Sequence, residues 1–504
     1  MFNLFQPVSY KKGAALAVGA TAFWKLCSFL NSILIALYFG TKTGTDVYFY
    51  LIMLIGFGVT FLQKMNTSVL VPEAMCAERE TPGAGRKLLN TFLYFYLGLG
   101  LCVTAAGVWL PVQSGVWLSR FSAATLARHE YLLAAAFVLF ASNLWVAYLT
   151  NILEMHKRFG VALLAPLNAL IPLAALLAFG KEIGIISMVY GFLGANLIQL
   201  VCFLIILRRD LQWNFVPGLE HFHARLKKNL LSNQTLEIVG LANSLIPVYL
   251  ISGLGTGLIS ALNYAKQLSD SPTEIITNRL AAVSKIQLSE DAAAHEHAAF
   301  NRRYLQTHFI LLFILTPLAV FTSFFARDII ALFFQRGHFT AQSAADTAAF
   351  LRPLMFSLIL LVPALMQGNA VAAQRKVKEA FPYLLSGQLI QAGLFLCIGY
   401  TGAFSYPYLW ITGCLCGYAI NRGFFKKFLP SIQYGRSLAE VARLLALNLL
   451  SVIPALATRY LLPDYGALPT VLICGTVFMG TLLLAAFKTG ILGSFLYAVK
   501  NAEN

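Results

Sequence analysis

The chain is 504 residues long, 58% hydrophobic and only 12% charged, with a mean hydropathy of +0.71 and a formal net charge of +16. Soluble domains carry about 25% charged residues, so a water-soluble enzyme is excluded; the apolar runs are continuous and not alternating, which excludes a membrane β-barrel. The positive charge would point to nucleic acid in a soluble protein, but cationic loops flanking membrane spans are the simpler source, and no nucleic-acid partner is expected.

Fourteen apolar stretches of about 20 residues follow one another, each long enough to cross a bilayer as a helix. They run over approximately 13–38, 47–72, 89–112, 130–154, 160–179, 184–207, 233–253, 256–285, 304–326, 344–371, 378–400, 403–425, 438–461 and 467–494. The expected fold is an all-α integral membrane protein of about fourteen transmembrane helices. The first stretch starts near Gly13 and is too long for a cleaved leader, so it reads as a span. With the N-terminus placed in the cytoplasm, 21 of the 37 Lys and Arg fall in inside connections, seven outside and nine within the apolar stretches. The bias holds through all fourteen spans, which puts both termini in the cytoplasm.

The longest polar connection, 208–232, carries Arg225, Lys227 and Lys228. It divides the chain into an N-terminal six-helix lobe (1–207), a cytoplasmic linker (208–232), a C-terminal six-helix lobe (233–425) and two additional helices (426–504). An internal echo supports the division. YFGTKTGTDVYFY (38–50) and SGLGTGLISALNY (252–264) each read as an apolar helix end, a Gly-Thr turn and a helix with tyrosine in its first turns. Paired lobes place a ligand site between them. Farther along, Thr340 reads as the N-cap of the tenth span, with Phe333, Phe334 and Phe339 as interfacial anchors.

The eighth stretch, Gly255 to Lys285, has a distinct polar face. At 3.6 residues per turn, Asn263, Lys266, Asp270, Thr273, Glu274 and Thr277 share a stripe roughly 100° wide, with Leu262, Ile275, Leu280 and Val283 opposite. Pro272 predicts a kink or broken turn within it. The alternatives for the stripe are a wall of a polar cavity and a solvated surface face.

Charges at membrane depth cost roughly 3 kcal/mol each on insertion scales, so they face a cavity or a partner. Lys25 stands mid-span with Asn31 beyond it, and Lys64 lies deep in the second span. Neither has an acid in its own span except Asp46, at the outer start of the second. An unpaired cation in a cavity suits a phosphate or diphosphate ligand. Glu237, Asp270 and Glu274 are the acids available to a coupling ion, and Lys266 and Asp270 stand at i, i+4, where an internal ion pair is the competing reading. His295 and His297 diverge on a helix, His221 and His223 have no further ligand, and Cys414-x-Cys416 lies in one span; no metal or cofactor is expected. The eight cysteines read as small buried hydrophobes.

YFGTKTGTDVYFY (38–50), the Val71-Pro72 pair, LNYAKQLSDSP (262–272), FFQRGHFTAQSAADT (333–347) and AVAAQRKVKEAFPY (370–383) together resemble the MurJ/MviN lipid II flippase family of the MOP superfamily. The likeness spans most of the chain in order. It implies a MOP/MATE-like fold of two six-helix lobes plus two helices, and alternating access around a cationic cavity. It implies as substrate an undecaprenyl-diphosphate-linked saccharide, moved from the cytoplasmic to the periplasmic leaflet of the bacterial inner membrane. Its lipid tail would lie along Leu444–Leu461 and Val471–Leu484, and cell-envelope synthesis enzymes would be partners. The expected diphosphate and sugar contacts are Lys25, Asn31, Asp46, Lys64, Asn263, Lys266, Asp270 and Glu274. The chain departs from the family where span one has Lys25 and Asn31 for two arginines, where span two has Val59 and Thr60 for an arginine pair with Lys64 a turn later, and where span eight has Lys266-Gln267 and Asp270 for the family's charges. These changes leave open a flippase for an exopolysaccharide or O-antigen-type repeat, a cation-coupled multidrug exporter of the same superfamily, and a non-transporting scaffold. The orientation has a direct test. A phosphatase reporter fused after Lys181 should be active, and one fused after Lys378 inactive; the reverse pattern would invert the topology.

Overall fold

The computed structural model describes residues 10–218, 224–430, 432–461 and 466–502, apart from the side chains of 10–18, 224–233, 275, 278–279, 281–283 and 499–502. His221 and His223, and the side chains of Arg225, Lys227, Lys228, Ile275 and Val283, lie outside this description. Among the described residues there is no strand, and twelve helices are long and apolar enough to cross a membrane. They match twelve of the fourteen expected spans. The other two are also helical, over 258–293 and Tyr406–Phe428, but are more polar. The chain is a multi-pass membrane protein. It divides into two compact units, Met1–Ser260 and Ala261–Asn504.

In the first unit the long helices are α1 (Tyr10–Phe39), α2 (Thr43–Met65), α3 (Ala84–Trp109), α4 (Glu130–Met155), α5 (Leu167–Ile183), α6 (Ile186–Ile205) and α7 (Ala224–Ile251). Lipid offers helices little hydrophobic drive to associate, so close backbone approach at small residues holds them together. Helix α3 shows this. Gly100 and Gly107, seven residues apart and so on one face, accept the rings of Trp145 and Phe137 from α4. A Cβ on Gly107 would lie 2.0 Å from the Phe137 ring, and one on Gly100 would lie 2.7 Å from the Trp145 indole nitrogen. That nitrogen donates to the Tyr96 carbonyl at 3.0 Å.

The start of the expected linker is an ordered strap laid on α3. Buried Asn90 accepts from Trp213 Nε1 at 2.8 Å and donates to the Val216 carbonyl at 3.0 Å, while Thr91 Oγ1 donates to the Gly218 carbonyl at 3.0 Å. One side chain thus satisfies backbone that no helix can serve.

In the second unit, α8 (Leu258–Pro272, its first turn belonging to the first unit) is followed by α9 (Asn278–Ala293), α10 (His297–Phe324), α11 (Ala341–Ala373), α12 (Val377–Leu396), α13 (Tyr406–Phe428), α14 (Tyr434–Leu461), α15 (Ala467–Lys488) and α16 (Ile491–Ala502). Helix α10 packs against α9, α11, α14 and α16. Thr340 caps α11 as expected, accepting from the Ser343 amide at 3.2 Å. Phe334 and Phe339 are not interfacial anchors. Both are buried against Tyr264, with ring centroids 5.1 and 5.4 Å away, because the short helix Ala326–Phe334 turns its apolar face inward. The chain does change winding at Pro272, through a π-helical turn over Thr273–Thr277. That turn shifts the face presented beyond it, so Thr277 is fully buried and Leu280 exposed, the reverse of a uniform helical projection. The cysteines also divide: Cys27 and Cys474 are buried, whereas Cys76, Cys102 and Cys397 are exposed.

Several helix ends carry a left-handed residue that is not glycine: Lys157, Gln212, His295 and Arg375, with φ of 60°, 45°, 58° and 55°. After three of them the chain bonds back in the same way, Arg158 N to Leu153 O, Glu296 N to Asp291 O and Lys376 N to Val371 O, each at 3.0 Å. These are Schellman-type ends, whose wrap satisfies a helix carbonyl that would otherwise be orphaned.

Gly107→Ala should therefore destabilise the detergent-solubilised protein by about 1–3 kcal/mol, because Phe137 must leave its rotamer. Gly98→Ala on the same helix, where a Cβ meets nothing within 4 Å, should raise stability by up to about 1 kcal/mol. Thermal unfolding of the two variants checks the contrast.

Candidate functional site

The two echoed Gly-Thr turns meet in the first unit. Asp46, in the first turn of α2, is 1% exposed. Its Oδ1 accepts from the Ser260 amide at 2.8 Å and the Ser260 hydroxyl at 2.6 Å, and its Oδ2 from the Gly257 amide. The carboxylate therefore sits at the N-terminus of α8, where free amides and the helix dipole favour a negative charge. Gly257 has φ of +87°, and a Cβ there would lie 2.9 Å from the Thr41 carbonyl, so this turn requires glycine. Asp46 was expected among the headgroup contacts. Buried, with both oxygens occupied, it is a structural cap.

Asn31 is corrected in the same way. It is 5% exposed and its Nδ2 donates to the Ala169 carbonyl at 2.8 Å, fixing α1 against α5. Lys64 was expected to be an unpaired cation. Its Nζ lies 2.8 Å from Glu237 Oε2, which stands on α7, a different span from its own. The pair is partly exposed, at 56% and 34% of the two side chains, so it contributes at most about 1 kcal/mol. Glu237 is accordingly engaged by a cation in this conformation. Lys25, half-buried on α1, lies 4.7 Å from the Trp24 ring centroid, a cation–π distance.

In the second unit, Asn263, Lys266 and Glu274 are half-buried and Asp270 is exposed, while Leu262 is buried on the opposite face. Up to Pro272 the stripe is present as read from the sequence. Asp270 and Tyr406 are the electrostatic neighbours of Lys266. Tyr406, 3% exposed at the start of α13, was missed by sequence reasoning. Its signal was weak: one of two tyrosines flanking a proline at a helix start. Among the described residues no three His, Cys, Asp or Glu side chains converge to hold a metal.

Each unit carries cations among hydroxyl, amide and carboxylate groups on its membrane-spanning helices, groups that can bind a polar, anionic partner at membrane depth. The fold is that of multi-helix membrane transporters. It superposes on a solved lipid II flippase MurJ in an inward closed conformation with a TM-score of 0.79, at 19% identity over 94% of this chain and 99% of that one. With an inward-facing multidrug resistance MATE family transporter of the MOP superfamily the TM-score is 0.57, at 15% identity over 87% and 96% of the two chains. The family model for lipid II flippase MurJ matches residues 35–473, and the chain belongs to that family. A probable lipid II flippase MurJ from Bdellovibrio bacteriovorus is 26% identical over 312 residues, 58% of each protein. A lipid II flippase MurJ from Burkholderia cenocepacia is 30% identical over 165 residues, 31% of each. The matched region is thus less than two thirds of either curated relative.

The burial of Asp46 and the exposure of the Lys64–Glu237 pair predict unequal costs. Asp46→Ala should lower stability by about 1–3 kcal/mol, since it strands buried amides and a hydroxyl. Lys64→Ala with Glu237→Ala should cost under about 1 kcal/mol. Thermal shift of the purified variants decides, and equal losses would contradict the assignment.

Proposed function

We propose that this protein is a flippase that carries a polyprenyl-diphosphate-linked saccharide, lipid II or a close relative, from the cytoplasmic to the outer leaflet of the bacterial inner membrane. The family match over 35–473 carries the reading. The embedded cations support it, because a lipid-borne diphosphate needs positive charge at a depth where charge is otherwise costly. Both termini lie in the cytoplasm, as the Lys and Arg bias favours. Transport makes and breaks no bond; it shifts the population between inward-open and outward-open states, each biased by the ligand's differential affinity.

Lys25 and Lys266 are the primary headgroup cations in this reading, with Asn263, Asp270 and Glu274 as sugar contacts. Lys64 contributes once a ligand phosphate competes for it with Glu237. Glu237, Asp270 and Glu274 remain the acids open to a coupling ion. Lysine binds phosphate as a point charge without the two-pronged geometry of arginine, which makes headgroup recognition here less orientation-specific. The tail follows Leu444–Leu461 and Val471–Leu484.

The test is conditional depletion with a leaflet-accessibility assay of the lipid-linked precursor. Depletion should trap precursor in the inner leaflet. Lys25→Gln with Lys266→Gln, expressed at normal levels, should slow its appearance outside by about tenfold or more. Unimpaired flipping by that variant would remove both lysines from the site, and normal flipping on depletion would remove the function.

A further inference from the structure

In the second unit the first turns of α10 and α14 and the helix α16 enclose an open pocket of about 740 Å³. Four guanidinium groups line it, those of Arg302, Arg303, Arg436 and Arg443, against two carboxylates, Glu296 and Glu440. Several of these charges are already engaged. Arg303 lies 3.2 Å from Asp291, outside the pocket lining. Glu440 lies 3.7 Å from Arg436 through one oxygen and 3.5 Å from buried His308 through the other. Arg443 donates to the Thr489 carbonyl at 3.3 Å. Arg302 is exposed and forms no ion pair among the described residues.

The backbone adds to the positive potential. Helices α10 and α14 are each 28 residues long and begin at this pocket, so both bring the positive ends of their dipoles to it, although the His297, Tyr434 and Arg436 amides are already bonded to the carbonyls of His295, Ile432 and Gln433. Apolar side chains, Leu305, Phe309, Leu444 and Ile491, share the rest of the lining with Asn301, Gln306, Gln433, Ser494 and Tyr497. The walls are fixed. The Asn301 side chain accepts from the Gln433 amide at 2.9 Å, the Phe313 and Phe495 rings stack 4.2 Å apart, and the Gln306 amide donates to the Ala498 carbonyl. Helix α16 leaves α15 through Gly490, at φ of +71°, and exposes Leu496 and Tyr497, as a helix lying in the membrane surface does.

A cationic rim over an apolar floor, at the ends of membrane-spanning helices, matches a lipid with an anionic headgroup better than a free solute. We propose that this pocket holds the phosphate headgroup of an anionic phospholipid of the inner leaflet, with Arg302, Arg436 and the positive ends of the two helices on the phosphate and an acyl chain against Leu305 and Phe309. The inner-leaflet placement rests on the orientation proposed above; the site itself does not depend on flipping.

Native mass spectrometry of the full-length protein, delipidated and then titrated with phosphatidylglycerol or phosphatidylcholine, tests the assignment. One phosphatidylglycerol should be retained in preference to phosphatidylcholine. Arg302→Gln with Arg436→Gln should weaken retention roughly 10- to 30-fold. Arg302→Gln alone, which breaks no ion pair or hydrogen bond among the described residues, should weaken it several-fold, Arg302→Lys should restore most of it, and Lys378→Gln, in another connection, should leave it unchanged. Equal retention of phosphatidylcholine or an unaffected double variant would overturn the proposal. So would displacement of phosphatidylglycerol by equimolar inorganic phosphate, or an arginine dependence confined to an added polyprenyl diphosphate. Retention is read without translocation, so its loss leaves the flippase reading untouched, and failure of flipping leaves the pocket untouched.

Discussion

A helix that starts within reach of lipid has amides with nowhere to go, and Asp46 is this protein's answer at the start of α8. Its carboxylate gathers the Gly257 amide, the Ser260 amide and the Ser260 hydroxyl, and it tolerates 1% exposure because both oxygens are filled. A negative charge buried without donors would cost several kcal/mol, and amides buried without acceptors would cost a comparable amount; each offsets the other. The arrangement needs a turn that only glycine can make at position 257, because the Thr41 carbonyl occupies the space a side chain would take. Sequence features that look unrelated, a Gly-Thr turn and an acid more than 200 positions earlier, are therefore one construction.

The same rule sorts the embedded charges. Those that can find a partner have done so: Lys64 reaches Glu237 on another span, and Lys25 lies over the face of Trp24. Lys266 keeps looser neighbours, an exposed carboxylate a turn away and a buried phenol. A transporter needs cations weakly enough held to be exchanged for ligand phosphate, and strongly enough held to be tolerated without it. Partly exposed pairs, worth at most about 1 kcal/mol, meet both conditions, whereas a fully buried pair would not release its partner.

How much of this was readable from residues alone depends on the range of the interaction. Continuous apolar runs fixed the spans because their length is set by the bilayer, and Thr340 and Pro272 were legible because capping and proline act within a turn. The candidate site was only partly legible. Asp46 and Asn31 carry the right chemistry, but periodicity along one helix cannot tell a cavity-facing side chain from one bound to a carbonyl of another helix, as Asn31 is to Ala169. Lys64 reads as unpaired along its own span because its acid, Glu237, stands 173 positions away on another. Beyond Pro272 the helical projection failed for a geometric reason, since one π-helical turn rotates everything after it, and Thr277 and Leu280 exchanged faces. Phe334 and Phe339 were misread because a loop aromatic near a membrane surface serves equally well as an anchor or as core.

Helix ends extend the argument to the loops. Left-handed residues outside glycine occur at Lys157, Gln212, His295 and Arg375, all in connections that the charge bias assigns to the cytoplasm. Glycine fills the left-handed positions 40, 184, 257, 337, 402 and 466 in the opposite connections, and 83 and 490 on the cytoplasmic side. A non-glycine residue there costs about 1–2 kcal/mol. A cation at a helix C-terminus recovers part of that through the dipole and the last carbonyls. For Lys157 and Arg375 the side chain that marks orientation is thus the one that closes the helix. The basic pocket beside α10 and α14 follows the same logic at the other end of a helix: free amides and guanidinium groups accumulate on one face of the membrane, where anionic lipid is the abundant counter-charge.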